Sequence, residues 1–243
     1  MQPSFTWLLL RLEAPIASFG TTMVQGFGPI TAFPSTALLT GLAAAALGWS
    51  WRDPTAHQSL QGRIVAAMRA DRPIDRFTDL QNARLHGEDS AWTTGGVPAR
   101  RRGASYAAPH QRFREYHQDL LVHVVLRLAA APTGTQSPSL ELLADALRFP
   151  AKALYIGRKP CIPSAPLIAP EPNCWITAAN AHAALCAIPG TVDRMRAAWP
   201  PGEGPTDGPD VEAILPVPGL HNWKLGLHTD SYPLVHGFVE PVA

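Results

Sequence analysis

The stretch that most restricts the fold of this chain is Leu120–Leu128, which reads LLVHVVLRL. Such a run of apolar and β-branched residues predicts a strand in the centre of a sheet. A similar run, FTWLLLRL at Phe5–Leu12, predicts a buried first strand. The chain is therefore expected to fold around a sheet.

Helical patterns lie between the predicted strands. Ser35 is suited to cap a helix that ends at about Leu47. Three more helices are predicted, over Ser59–Ala70, Ser139–Leu147 and Trp175–Ala187. Further strands are predicted at Asp71–Gln81, Ala153–Ile156, Val211–Val217 and Lys224–Val239. This order predicts an α+β sandwich with helices on one face of an antiparallel sheet.

Composition narrows the class of partner without naming it. With 46% hydrophobic and 16% charged residues, the chain is globular and not disordered. A net charge of +1 gives no global field that would attract nucleic acid. The cations are nevertheless 17 Arg against 3 Lys. The planar guanidinium of arginine can bind phosphate through two hydrogen bonds and suits it better than the ammonium of lysine. GC-rich codon usage explains the same bias towards arginine equally well.

The chain is expected to be cytoplasmic. Cys161, Cys174 and Cys186 form no CxxC pair, which predicts free thiols in a reducing compartment. No stretch is typical of a signal peptide or a membrane span. No cluster with metal-ligand spacing is recognisable either, so the sequence predicts no cofactor and no bound metal.

A long insertion, Asn82–Gln111, has no hydrophobic period. Cations and aromatic residues alternate there and just beyond it, a composition that suits single-stranded nucleic acid. The alternative is a solvated insertion without a ligand. Between Ser90 and Arg114 the chain has no acidic residue and five arginines, Arg100, Arg101, Arg102, Arg112 and Arg114.

The segment Ala153–Leu167 carries a second candidate site. Its predicted strand ends in Gly157, which lets the backbone turn sharply or approach a ligand closely. Arg158 and Lys159 follow directly. Bare backbone with two cations suits a polyanion; the alternative is a turn with solvated charges.

Four segments occur in an order that resembles the CasD family of the type I-E CRISPR surveillance complex, Cascade. They read LLLRLEAPIASFG, GPITAFPSTALLTGLAAAALG, REYHQDLLVHVVLRL and LYIGRKPCIPSAPL. The resemblance covers roughly the first 190 residues. It implies a ferredoxin-like, RRM-related palm of the RAMP type, from which a β-hairpin thumb projects. On this basis residues 1–243 are expected to form a single palm domain, with 82–111 as the inserted thumb and 190–243 as a C-terminal extension.

The resemblance also implies a function and partners. The chain would be a non-catalytic subunit that caps the 5′ handle of CRISPR RNA (crRNA) and contacts the large and backbone subunits of Cascade in antiviral defence. It would contact target DNA only through the assembled complex, and it would not contact a membrane. The implied RNA-binding residues are Ser18, Phe19, Gly20, Ser35, Thr36, Tyr116, Gly157, Arg158 and Lys159, together with the five arginines of the insertion region. Tyr116 could equally be a half-buried ring on the sheet.

A catalytic alternative stays open at this point. Some relatives from type I-C systems cut the crRNA precursor without metal, which requires a general base, a general acid and a cation. The candidates for such an endoribonuclease here are His110, His117, His123, Tyr116 and Lys159.

Overall fold

A computed structural model describes residues 4–84, 109–131, 137–190 and 192–242. Arg100, Arg101 and Arg102 lie outside this part of the chain. The strands are β1 (Phe5–Ala17), β2 (Phe27–Gly28), β3 (Ile64–Ala70), β4 (Asp75–Ala83), β5 (His110–Leu128), β6 (Trp175–Ala178), β7 (Met195–Trp199), β8 (Val211–Asn222) and β9 (Leu227–Val239). The helices are α1 (Thr36–Ala46), α2 (Pro54–Arg63), α3 (Leu140–Arg148) and α4 (Ala181–Cys186).

The strands form one large sheet in the order β6-β1-β5-β3-β7-β9-β8. All of its pairings are antiparallel except the short pairing of β2 with β5. The α+β class and the antiparallel sheet predicted from the sequence are therefore confirmed. The predicted central strand is also confirmed, because β5 pairs with β1 on one side and β3 on the other.

Two apolar clusters lie on opposite faces of this sheet, because neighbouring strand residues point in opposite directions. Leu8 and Val124 belong to the cluster that α1, α2 and α3 cover. Trp7 and Val125 belong to the second cluster, which α4 covers. The prediction that helices lie on one face is thus wrong: the short α4 packs on the other.

Strand β5 has two halves with different partners. Its second half pairs with β3, whereas its first half forms a hairpin with β4, from Asp75 opposite Gln118 to Ala83 opposite His110. Asp119 lies between the halves at a φ of 46°, a left-handed conformation that Asp adopts more readily than most residues. The hairpin consequently leads from the sheet towards the segment outside the described residues.

Three sequence predictions of secondary structure are wrong. The predicted helix Ser59–Ala70 divides into the end of α2 and strand β3, because tertiary pairing with β5 and β7 overrides the helix propensity of Ala and Met. Trp175–Ala187 likewise begins with a strand, β6, before α4. Ala153–Ile156 is irregular and forms no strand.

Two helix starts follow the prediction closely. Ser35 caps α1 by accepting a hydrogen bond from Leu38 N, and Ser139 caps α3 in the same way at Leu142 N. Such caps satisfy an N–H group that has no partner inside the helix.

Candidate nucleic-acid interface

Gly157 lies against the loop that follows β1. Ile156 O accepts a hydrogen bond from Ser18 N at 3.0 Å, which fixes the two segments together. Gly157 has a φ of 97°, and a Cβ built on it would overlap the backbone oxygen of Ser18. Glycine is therefore required both for the conformation and for the close approach.

Arg114 and Arg158 converge above Gly28. A Cβ built on Gly28 would lie 2.9 Å from Arg114 Nη1 and 3.0 Å from Arg158 Nη2. Arg158 donates to the backbone oxygens of Glu115 (3.1 Å) and Gly28 (3.3 Å), while Arg114 Nη1 is buried and has no hydrogen-bond partner in the part of the chain that the structure describes. Within the described residues neither guanidinium has a carboxylate partner. We call these two side chains the arginine pair.

Tyr116 supports the arginine pair from below. Its side chain is only 4% exposed, and its ring stacks on Phe77 with centroids 5.5 Å apart. The Arg158 guanidinium carbon lies 4.8 Å from the Tyr116 ring centroid, a cation–π contact that orients the cation. In this position the ring holds Arg158, and its stacking on a base stays a prediction.

The loop after β1 presents its three predicted residues differently. Ser18 and Phe19 are buried, whereas Gly20 is exposed. Phe19 packs on the imidazole of His117 at 4.8 Å. Phe19 thus anchors the loop, and Ser18 and Gly20 line a cavity described below.

Two N–H groups at the start of α1 have partners within the protein. Thr36 N donates to the hydroxyl of Tyr232 at 3.1 Å, and Leu38 N donates to Ser35 Oγ at 3.2 Å. Burial raises the pKa of Tyr232, so this hydroxyl stays neutral. RNA binding by Ser35 and Thr36 stays a prediction, and it would have to use groups other than these two N–H donors.

A cavity of about 280 Å³ joins the loop after β1, the start of α1, the Gly157–Arg158 turn and the hairpin of β8 and β9. It therefore brings together predicted residues from three segments that are far apart in sequence. Those residues are Ser18, Gly20, Ser35, Gly157 and Arg158; Ala37 and Leu38 also line the cavity.

The remaining wall of this cavity was not found by sequence reasoning. It consists of His221, Trp223 and His228 at the tip of the β8–β9 hairpin. Gln61 of α2 fixes the tip: its side-chain oxygen accepts from His221 N at 3.2 Å and Trp223 Nε1 at 3.1 Å. The run HNWKLGLH is rich in rings, but only tertiary structure shows that it faces Gly157.

The histidines considered for catalysis have structural partners. His117 is fully buried and donates from Nε2 to Thr31 O at 2.9 Å; burial lowers its pKa to about 4, so it is neutral at pH 7. His123 Nδ1 lies 2.9 Å from Asp71 Oδ2. His110 begins β5 in the hairpin, opposite Ala83.

Two further predicted cations within the described residues lie at the surface. Lys159 is exposed next to Arg158. Arg112 is exposed on β5 and donates to Gln111 O at 3.0 Å. Neither joins the arginine pair directly.

The described residues offer neither a metal site nor a membrane-spanning helix. No group of three or more His, Cys, Asp or Glu side chains there could hold a metal ion. The helices in the same part of the chain are too short or too polar to cross a membrane.

A family model described as CRISPR-associated protein (Cas_Cas5) matches residues 7–228. The chain belongs to this Cas5 family of CRISPR-associated proteins.

Particular relatives are similar to it in sequence or in fold. The chain is 30% identical over 162 residues to the CRISPR system Cascade subunit CasD of Escherichia coli K12. The matched residues cover 67% of this chain and 69% of CasD. A chain of a solved CRISPR RNA-guided surveillance complex superposes with a TM-score of 0.67 at 21% identity, covering 97% of this chain and 90% of that one. A solved Cas protein gives a TM-score of 0.60 at 19% identity over 99% of both chains. The resemblance inferred from the four segments is confirmed.

Proposed function

We propose that this Cas5 protein is the non-catalytic subunit of a type I-E Cascade that caps the 5′ handle of crRNA and contacts the large and backbone subunits. Target DNA is met through the assembled complex alone. The observation that carries the proposal is the arginine pair. Two guanidinium groups that converge, with no carboxylate partner among the described residues, repel each other, and a phosphate beside them would relieve this repulsion.

The fold part of the proposal is a single ferredoxin-like palm domain over residues 1–243. In it, 82–111 is the inserted thumb and 190–243 is a C-terminal extension. The hairpin of β4 and β5 supports the thumb, since it leads into this insertion from the edge of the site. The arginines Arg100–Arg102 would then grip the RNA backbone beside the handle.

The remaining predicted RNA contacts belong to the same proposal. Exposed Lys159 and Arg112 flank the arginine pair, and the exposed backbone of Gly20 and Gly157 allows close approach of RNA. Free thiols at all three cysteines suit a cytoplasmic complex.

The alternative, a metal-independent endoribonuclease, has weaker support. A general base must be reachable by the substrate and able to take a proton near the working pH. His117 is buried with a lowered pKa, and His123 is engaged by Asp71, so both are better explained as structural.

Co-purification with the products of neighbouring genes, followed by sequencing of the bound RNA, tests the proposal. We expect Cascade subunits and an RNA that begins with repeat-derived sequence. Recovery of the chain without RNA or Cascade subunits would overturn it.

Incubation of the pure protein with repeat RNA in EDTA tests the alternative. We expect binding without cleavage. Clean cleavage within the repeat that is lost in His117→Ala or Lys159→Ala would replace the proposal by the nuclease.

A further inference from the structure

A second cavity, of about 690 Å³, contains neither member of the arginine pair. It is bounded by the end of β3, the start of β4 and the segment 192–196 that leads into β7. Its volume lies within the ~300–1,000 Å³ of typical sites for drug-sized ligands, so it can take several side chains and not merely an ion. We call this cavity the arginine groove, because it is lined by Arg72, Arg76, Arg194 and Arg196.

The arginine groove and the arginine pair lie on different faces of the β4–β5 hairpin. Arg76 of β4 lies directly opposite His117 of β5. Arg114 is three positions before His117 on the same strand, and residues an odd number apart on a strand point to opposite faces. The groove is therefore separate from the phosphate site of the proposed function.

The charge of Arg76 is not balanced within the groove. Its guanidinium donates to Ile30 O at 3.4 Å and has no carboxylate partner among the described residues. Asp71 also lines the groove, but that carboxylate is held by an ion pair with Arg69 and a contact with His123. A cationic donor in this state favours a ligand that brings its own carboxylate or phosphate.

The other arginines of the groove have acidic partners that lie outside its lining. Arg72, Arg194 and Arg196 form ion pairs of 2.8–3.3 Å with these partners. A polyanion that ran through the groove would meet the partner carboxylates at its edges and be repelled. A single acidic side chain with cations on either side would instead meet an opposite charge at each place. The edge carboxylates are Glu13, Asp119, Asp210 and Glu212.

The aromatic ring in the groove also favours a protein ligand over a nucleic acid. The guanidinium carbons of Arg194 and Arg196 lie 4.0 and 5.7 Å from the centroid of the half-buried Phe238 ring. These cation–π contacts engage the ring, whereas single-stranded nucleic acid requires accessible rings on which its bases stack. Pro73 and Ile74 add apolar lining that suits the side chains of a protein.

We propose that the arginine groove is the docking site for a segment of a neighbouring subunit of the complex. This segment brings one Asp or Glu to Arg76, apolar side chains to Pro73 and Ile74, and basic residues to Asp119 and Glu212 at the edges. The inference rests on the proposed function, because the partner belongs to the same assembly. It adds a surface for that partner, on the face of the hairpin opposite the arginine pair, and the chemistry that the surface recognises.

Site-specific cross-linking in the co-purified complex identifies the occupant. The photoreactive residue p-benzoylphenylalanine in place of Val192, an exposed residue of the lining, should cross-link to a peptide of another subunit that contains Asp or Glu. The same probe in place of Phe149, which is 79% exposed just after α3, should not yield that peptide. A cross-link from position 192 to RNA, to no protein, or to the peptide also reached from position 149 would overturn the proposal.

Charge reversal tests the contact itself. Arg76→Glu should weaken binding of the cross-linked subunit on the order of tenfold, and exchange of the acidic residue in its peptide for Arg should restore most of the affinity. Arg76→Gln should cause a smaller loss, because it removes the attraction without adding repulsion. Arg52→Glu changes an exposed arginine outside the groove and should leave the affinity unchanged. Equal losses in Arg52→Glu and Arg76→Glu, or no recovery on charge exchange, would contradict the docking site.

RNA binding separates this proposal from the proposed function. The RNA affinity of Arg76→Glu should equal that of Arg52→Glu, which carries the same change of net charge. A selective loss of RNA affinity in Arg76→Glu would show a nucleic-acid site and overturn the docking segment. If the wild type binds RNA and subunits and Arg76→Glu alters neither, the docking site alone fails. If the wild type binds neither, the proposed function fails and the docking site with it.

Discussion

Two arginine clusters lie at different places on the sheet and differ in their partners. At the end of β3, the fully buried Arg69 forms an ion pair with Asp71 at 2.7 Å. It also donates to three backbone oxygens at and just after the C-terminal end of α4. The arginine pair, Arg114 and Arg158, lies beside Gly28 and has backbone oxygens but no carboxylate among the described residues. The first cluster is complete within the protein, whereas the second is the phosphate site of the proposed function.

The Arg69 cluster should therefore control stability. Burial raises the pKa of Asp71, but hydrogen bonds from His123 and Arg69 outweigh burial, and the net pKa is lowered. Removal of one member of such a buried pair leaves a charge without compensation.

The largest expected effect is that of Arg69→Met. It should lower the free energy of unfolding by about 3–5 kcal/mol, since Asp71 and the backbone oxygens of Leu185, Ile188 and Pro189 lose their donor. Urea unfolding followed by circular dichroism measures this. The exposed pair Arg196–Glu212 supplies the control, because Arg196→Met should cost less than about 1 kcal/mol. Equal losses in the two variants would show that Arg69 is not a structural anchor.

The next effect concerns pH. The pKa of His117 is lowered to about 4 by burial, so the unfolded chain binds one more proton between pH 6.5 and 4. The stability that His117 contributes is complete above about pH 6.5 and is lost as pH falls through this window, by about 3 kcal/mol at pH 4. The pKa of Asp71 is also lowered, but from an ordinary value of 3.8. The stability that Asp71 contributes should therefore be lost at lower pH than the stability that His117 contributes.

His117→Gln separates this effect from other titrations. The amide can still donate to Thr31 O but does not titrate, so the unfolding free energy of the variant should depend less on pH between 6.5 and 4. Identical pH profiles for the wild type and His117→Gln would contradict the assignment.

A smaller difference in stability is expected between the alanine variants of two glycines that have positive φ. Gly157→Ala should destabilise the protein more than Gly202→Ala does, because both cost backbone strain of ~1–3 kcal/mol but only the Cβ at position 157 also meets Ser18. Gly202 has a φ of 86° with open space around its Cβ position, so Gly202→Ala should cost strain alone. Thermal unfolding of both variants measures the difference, and its absence would mean that the contact of Gly157 with Ser18 is not tight.

Much of the fold was accessible from the sequence because its signals are local. The apolar run LLVHVVLRL and the caps Ser35 and Ser139 determine structure within a few residues of themselves. The failed prediction over 59–70 has the opposite cause: its Ala- and Met-rich half pairs with strands that are distant in the chain. Propensity cannot override such pairing.

The residues of the candidate site also divide into those with a local sequence signal and those that only the tertiary structure brings together. Gly157 and Arg158 were recognisable, because a glycine followed by cations is a local pattern. Arg114 was predicted with the other arginines of the insertion region, but its pairing with Arg158 at Gly28 is visible only in the tertiary structure. The contact of Trp223 with Gln61 likewise depends on tertiary structure. The family resemblance identified the first strand and the turn, but not the cavity wall formed by the C-terminal hairpin.

The most direct test of the arginine pair as a phosphate site is the salt dependence of RNA binding by two matched double variants. Arg114→Ala with Arg158→Ala removes the arginine pair, and Arg194→Ala with Arg196→Ala removes two arginines that have carboxylate partners. In Cascade assembled with its RNA, or in the free protein with the recovered RNA, the first should reduce the slope of log affinity against log salt by about 0.7, the value for one phosphate contact on a single strand. The second should leave the slope unchanged. An unchanged slope in the first variant, or an equal reduction in both, would contradict the assignment of the arginine pair as the phosphate site.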